Sequence, residues 1–148
     1  MNKSENGFTL IEVLVSLTLL TSIVLVASSF FTQSNTISSY NNQKLVAVNL
    51  ARATLERIQL APESYITDGL NGGPYTYQNC KNSPKTDCEN YQIKINNHEY
   101  RIDVTVSQDL NEQEIELVDV RVDVTLPNKK PTIETSVEGF VKHAALSP

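Results

Sequence analysis

The chain is short of the residues that usually carry metal and redox chemistry, with two cysteines and two histidines in 148 residues. Zinc asks for about four ligands, and neither His98 nor His143 stands at a useful spacing from Cys80 and Cys88. No Ser or Cys nucleophile accompanies either histidine in a recognisable context. A Gly-rich phosphate loop is absent too, because the NGG run at Asn71 to Gly73 lacks a lysine and a strand–loop–helix setting. No EF-hand spacing unites the acidic residues. No cofactor, no metal site and no enzymatic activity are therefore expected. Basic residues are in deficit, 12 against 17 acidic ones for a net charge of −5. That argues against a nucleic-acid partner gripped by general electrostatics and leaves room only for a small local patch. Low-complexity tracts and internal repeats are missing, which argues against wholesale disorder and against a solenoid.

The largest absence is of charge itself. Between Glu12 and Lys44 no residue is charged. The part from Val13 to Phe31 is mostly Leu, Val, Ile and Phe, and as a helix it is about 30 Å long, enough to cross a hydrocarbon core. Ser16, Thr18, Thr21 and Ser22 interrupt the run, but hydroxyls can bond back to helix carbonyls. A cleaved secretory signal is one reading, yet the apolar stretch exceeds a usual h-region and Glu12 lies in its front turn. A plain anchor is another, yet a carboxylate there costs a few kcal/mol on insertion scales and has no evident partner in its own helix. An intramembrane carboxylate is by default a functional feature.

The order of elements at the N-terminus carries a family resemblance. A short polar leader, MNKSEN, ends in Gly7; Phe8, Thr9, Leu10 and Ile11 follow, then Glu12, then the apolar run. Residues 1 to about 31 resemble the class III signal of type IV prepilins and type II secretion pseudopilins. The resemblance implies cleavage between Gly7 and Phe8 by a membrane-embedded prepilin peptidase, N-methylation of the new Phe8 amine, and a role for Glu12 in assembly. Glycine before the cut lets a protease approach an extended backbone closely. The freed ammonium lies in or near lipid, and Glu12 of a neighbouring subunit can pair with it and set axial register. Lys3 is offset by Glu5, so the positive-inside bias of the leader is thin. The implied partners are other pilin or pseudopilin subunits, the prepilin peptidase, the inner-membrane assembly platform and the cytoplasmic membrane.

Beyond the membrane the helix is expected to continue. Residues 32–60 contain no Pro or Gly, and Ile37, Leu45, Val48, Ala51, Leu55 and Ile58 form an apolar stripe. The Asn- and Ser-rich residues 34–43 are its weak part, and Pro62 marks its stop. Residues 61–74 read as a loop. In the polar segment CKNSPKTDC, Cys80 and Cys88 are expected to form a disulfide if the domain is exported. The chain-entropy estimate for that short loop is roughly 2–3 kcal/mol.

The remainder alternates as strands do. TYQ at Tyr75 suggests a short strand, and YQIKI at Tyr91 to Ile95 a longer one. Asn96-Asn97 supplies a tight turn, with His98 read as a solvated turn residue. YRIDVTVSQ puts Ile102, Val104 and Val106 on one face, and IELVDVRVDVTL does the same for Val118, Val120, Val122 and Val124. Asp103, Asp119 and Asp123 then line a solvated face. PNKKP is a turn, and TIETSVEGFV completes a second hairpin with Gly139 at a bulge. The apolar face is expected to pack on Leu45, Val48, Leu55 and Ile58. The expected architecture is α+β and pilin-like, a long N-terminal helix packed against a C-terminal antiparallel sheet. Its divisions are a leader at 1–7, a transmembrane and polymerisation helix at 8–31, an amphipathic continuation at 32–60 and a globular domain at 61–148.

The paired hairpins and the segment KLVAVNLARATLERIQ further resemble the minor pilins of type IV pilus and type II secretion systems. The leading reading is a filament subunit made in the cytoplasmic membrane, with its leader inside and its C-terminal domain outside, then carried into a cell-surface filament. An adhesin or DNA-uptake module borne on such a filament is the alternative from another class.

Overall fold

The structure, a computed structural model, describes residues 7–67, 70, 73–82 and 88–142. The leader residues before Gly7, Asn71 of the NGG run, the residues between Asn82 and Cys88, and His143 lie outside the described residues. Helix α1 spans Leu10–Leu60. By internal contacts the chain divides into two compact units, Met1–Asn41 and Asn42–Pro148.

In the first unit, the expected start at Phe8 is corrected: the helix begins at Leu10, with Thr9 ahead of it. The polar interruptions are absorbed as the chemistry of short hydroxyls requires. Thr21 Oγ1 donates to the Leu17 carbonyl, Ser22 Oγ to Thr18 and Ser28 Oγ to Val24, each at 2.8 Å. Each hydroxyl is thereby satisfied inside its own helix and presents little unpaired polarity. The suspected weak stretch, residues 34–43, is helical throughout. It contains no Pro or Gly to break it, and Thr36 Oγ1 folds back on the Thr32 carbonyl at 3.0 Å.

In the second unit, a four-stranded antiparallel meander comprises β1 (Gln92–Ile95), β2 (His98–Ser107), β3 (Leu117–Leu126) and β4 (Ile133–Lys142), in the order β1-β2-β3-β4. The β1–β2 turn has both Asn96 and Asn97 at positive φ, 49° and 63°, as a two-residue hairpin turn demands. Register follows the period-2 pattern, with Ile102 opposite Val124, Val104 opposite Val122 and Val118 opposite Val141. Ile102, Val104, Val118, Val120, Val122 and Val124 are all fully buried. A one-residue slip would turn that whole face to water, so the burial itself specifies the register.

The α1 residues that the second unit buries are Gln43, Ala47, Ala51, Thr54, Leu55 and Ile58. This corrects the expected stripe at Leu45, which is 59 % exposed, and at Val48, which is half-buried. Leu45 lies about 160° around the helix from Ala47 at ~100° per residue. Gly139 is corrected as well. It pairs regularly with Val120 and makes no bulge. Its lack of a side chain serves packing, because an added Cβ would stand 2.8 Å from Leu55 Cδ2. Gln59 Nε2 donates to the adjoining Phe140 carbonyl at 3.2 Å.

The segment expected as a strand at TYQ is a single bridge, Tyr75 to Val104, followed by the short helix α2 (Tyr77–Lys81). Thr76 caps that helix, accepting from the Asn79 amide at 3.2 Å, which draws the chain out of the strand after one residue. Cys80 and Cys88 are bonded to each other. Beside them Tyr91 and Tyr65 meet edge to face at 5.8 Å, and the Tyr91 hydroxyl donates to the Tyr65 carbonyl. Burial is the main reason the Tyr91 phenol is pushed up to about 12. Between β2 and β3 lies a further short helix, α3 (Leu110–Glu114), which sequence reasoning missed.

Candidate functional site

The residues singled out at the N-terminus lie together in the first unit. Gly7 stands in open space: a Cβ added to it would meet nothing within 4 Å. No packing contact among the described residues asks for glycine there. Phe8 is 88 % exposed, so among the described residues neither side of the Gly7–Phe8 junction is packed against the rest of the chain.

Thr9 and Glu12 form a reciprocal cap on α1. The Thr9 amide and hydroxyl both donate to Glu12 Oε2 at 2.9 Å, and the Glu12 amide returns a longer bond, 3.4 Å, to Thr9 Oγ1. The carboxylate expected to lack a local partner therefore has one. The spacing Thr9-Leu10-Ile11-Glu12 is the capping-box signature, and it was legible in the sequence. A negative charge at a helix N-terminus is also favoured by the helix dipole. Behind the cap, Leu10, Ile11, Leu14, Leu17, Phe30 and Phe31 are exposed. Among the described residues one helix, α1, is long and apolar enough to cross a membrane.

The second unit offers less chemistry. His98, read as a solvated turn residue, is instead half-buried, with Nε2 3.0 Å from Gln43 Nε2. It opens β2, where its ring meets a side chain of α1, a neighbour that sequence spacing cannot reveal. No group of three or more His, Cys, Asp and Glu residues among the described residues is arranged to hold a metal ion. Asp103 and Asp123 are direct cross-strand partners, and Arg121 Nε bonds Asp123 Oδ1 at 3.1 Å. Burial first, then the Asp123 charge, pushes the Asp103 carboxyl above its ordinary value, against the pull of Arg101. Its folded value thus exceeds its unfolded one. The associated stability is fully present below the ordinary value of 3.8 and lost as pH rises through the raised value. Asp103→Asn is therefore expected to raise the midpoint of thermal unfolding at pH 7, with the advantage shrinking toward pH 3.8. Near-ultraviolet circular dichroism of the detergent-solubilised chain reads both midpoints, and an equal advantage at both pH values would contradict the assignment.

A polar cleft of about 670 Å³ opens between α2 and the outer face of β1 and β2, lined by Tyr77, Asn79, Lys81, Gln92, Arg101 and Asp103 among others. Lys81 Nζ lies 4.7 Å from the Tyr77 ring centre, partly covering its face.

Comparison with known proteins adds one finding: residues 2–28 match the prokaryotic N-terminal methylation motif. The match covers the leader, Gly7, Phe8, Glu12 and most of the apolar run. It supports an N-terminal segment of the type IV prepilin kind, with the membrane anchoring and assembly alongside other subunits that this motif implies. No curated protein and no solved structure matches the chain.

Proposed function

We propose that the protein is a minor pilin or pseudopilin of a type IV pilus-like filament. Prepilin peptidase cuts it between Gly7 and Phe8, the Phe8 amine is methylated, and the inner-membrane platform inserts the subunit into the filament through its N-terminal helix. The observation that carries this reading is the methylation-motif match over residues 2–28, together with an exposed Gly7–Phe8 bond at the head of an exposed apolar helix.

Glu12 fits the reading in a specific way. Before assembly its charge is held by the Thr9 amide and hydroxyl, which offsets part of the cost of a carboxylate near lipid. During assembly the methylated amine of a neighbouring Phe8 competes for it, as an ion pair stronger than a neutral hydrogen bond. The leader stays in the cytoplasm and the sheet domain is exported, a setting in which the Cys80–Cys88 bond persists.

Intact mass spectrometry of the chain extracted from membranes tests this. The expected species lacks Met1 to Gly7 and carries one added methyl group. A chain that keeps its leader in cells with an active prepilin peptidase contradicts the proposal.

A further inference from the structure

The sheet of the second unit is electrically polarised along its strands. At one end the β2–β3 connection and the start of β3, residues 109–119, read DLNEQEIELVD, with five carboxylates and no Lys or Arg. Asp119 records the crowding there. Burial first, then the charges of Glu112 and Glu138, pushes its carboxyl up. Two cations stand near this end: Arg121, whose charge pulls the Asp119 carboxyl back down, and Lys142, in register with Leu117. At the opposite end lie the β1–β2 and β3–β4 turns, with exposed Lys94 and Lys130 and half-buried Lys129. Glu99, opposite Lys94, and Glu134, opposite Thr125, offset part of that charge.

The acidic end is also built to display apolar side chains. Leu110 is 83 % exposed and Ile115 62 % exposed. Asp109 and Glu112 close a capping box on α3, with both bonds at 2.7 Å. Gln108 Nε2 clamps the loop to the Leu117 carbonyl at 2.6 Å. Glu116 is held at a φ of 55°, a left-handed conformation that costs a non-glycine residue about 1–2 kcal/mol. The capped and clamped loop therefore carries two large exposed apolar side chains within a strongly acidic segment. The basic end offers matching apolar relief, since exposed Pro131 follows Lys130.

We propose that the 108–117 loop docks head to tail on the β1–β2 and β3–β4 turns of a second copy of this chain. Leu110 and Ile115 seat against the turn backbone and Pro131. Glu114 and Glu116 face Lys94 and Lys130. A contact between different surfaces of identical subunits does not close on itself unless its rotation does, and otherwise propagates as a helical filament. The inference therefore rests on, and deepens, the filament reading above, by naming the surfaces through which exported domains meet.

The test places a photoreactive benzophenone amino acid at position 110 of the full chain in the producing cell. Membrane and sheared-filament fractions are irradiated separately. The expected product has twice the chain mass, and its cross-link maps to the β1–β2 or β3–β4 turn. Glu114→Lys with Glu116→Lys, which spares the capping pair, is expected to cut its yield about tenfold, a reversal of a few charge pairs. Adding Lys94→Glu and Lys130→Glu to the same chain restores complementarity and is expected to restore the yield. A cross-link to a different polypeptide, no cross-link, or one indifferent to charge reversal overturns the head-to-tail contact. Failure of the filament reading looks different: the chain is then missing from the sheared fraction, while a charge-sensitive self-cross-link in membranes still upholds the contact.

Discussion

Replacing Glu12 by Val is expected to abolish entry into filaments while leaving membrane insertion intact. Insertion gains from the change, because an apolar side chain replaces a carboxylate in the front turn of the apolar helix. The helix loses its Thr9–Glu12 cap, a local and solvent-exposed loss that one long helix readily bears. Assembly suffers more. In the proposed filament a processed neighbour would bring a Phe8 ammonium into an apolar environment, and without Glu12 that ammonium would be unpaired. Leaving one partner of a buried ion pair without the other is strongly destabilising, so each place where the variant would enter the filament is disfavoured. Glu12→Gln separates cap from charge: its amide oxygen can still accept from Thr9, yet it cannot neutralise an amine. Both variants are expected in the membrane fraction and missing from the sheared filament fraction. Normal incorporation of either removes the pairing role.

The second large effect contrasts two apolar residues of one helix. Ile58→Ala is expected to destabilise the second unit by about 2–5 kcal/mol, whereas Leu45→Ala is expected to stay within about 0.5 kcal/mol. Ile58 is fully buried in the second unit and Leu45 is 59 % exposed, so only the first leaves a cavity. Denaturant titration of each variant in detergent, followed by tyrosine fluorescence, gives the two midpoints. Equal losses would mean that the docked face is wrong. A loss at Leu45 alone would favour the stripe expected from hydropathy.

That stripe shows where sequence reasoning stops. Leu45 and Val48 are more apolar than Gln43, Ala47 and Thr54, so hydropathy ranks them first. The docked face instead centres on Ala47 and Ala51, both fully buried. Small residues let a helix approach a sheet closely, and Gly139 yields room for Leu55 on the other side. Such a choice depends on the shape of the partner surface, which no single segment encodes. His98 was misjudged for the same reason: its neighbour Gln43 is far away in the chain. The missed α3 is a different kind of error. Asp109 and Glu112 carry the capping-box spacing in plain view, a signal as local as any strand alternation. Likewise Thr9 and Glu12 form a capping box whose spacing is local and legible in the sequence.

By itself the sequence determined what local chemistry can determine. The charge-free run makes the first part of α1 apolar, and residues 2–28 carry the N-terminal methylation motif. Strict alternation sets which faces of β2 and β3 are buried, and two asparagines make the turn before β2. Each is a matter of spacing along one segment, and spacing survives without knowledge of the rest of the molecule. The tertiary structure alone decided which side of the helix meets the sheet, why residue 139 is glycine, and that carboxylates and lysines collect at opposite ends of the strands. The first two arise when segments distant in sequence come within contact range, where shape rather than the character of any one residue sets the energy; the third is a bias in summed charge, with Lys142 at the acidic end and Glu99 and Glu134 at the other.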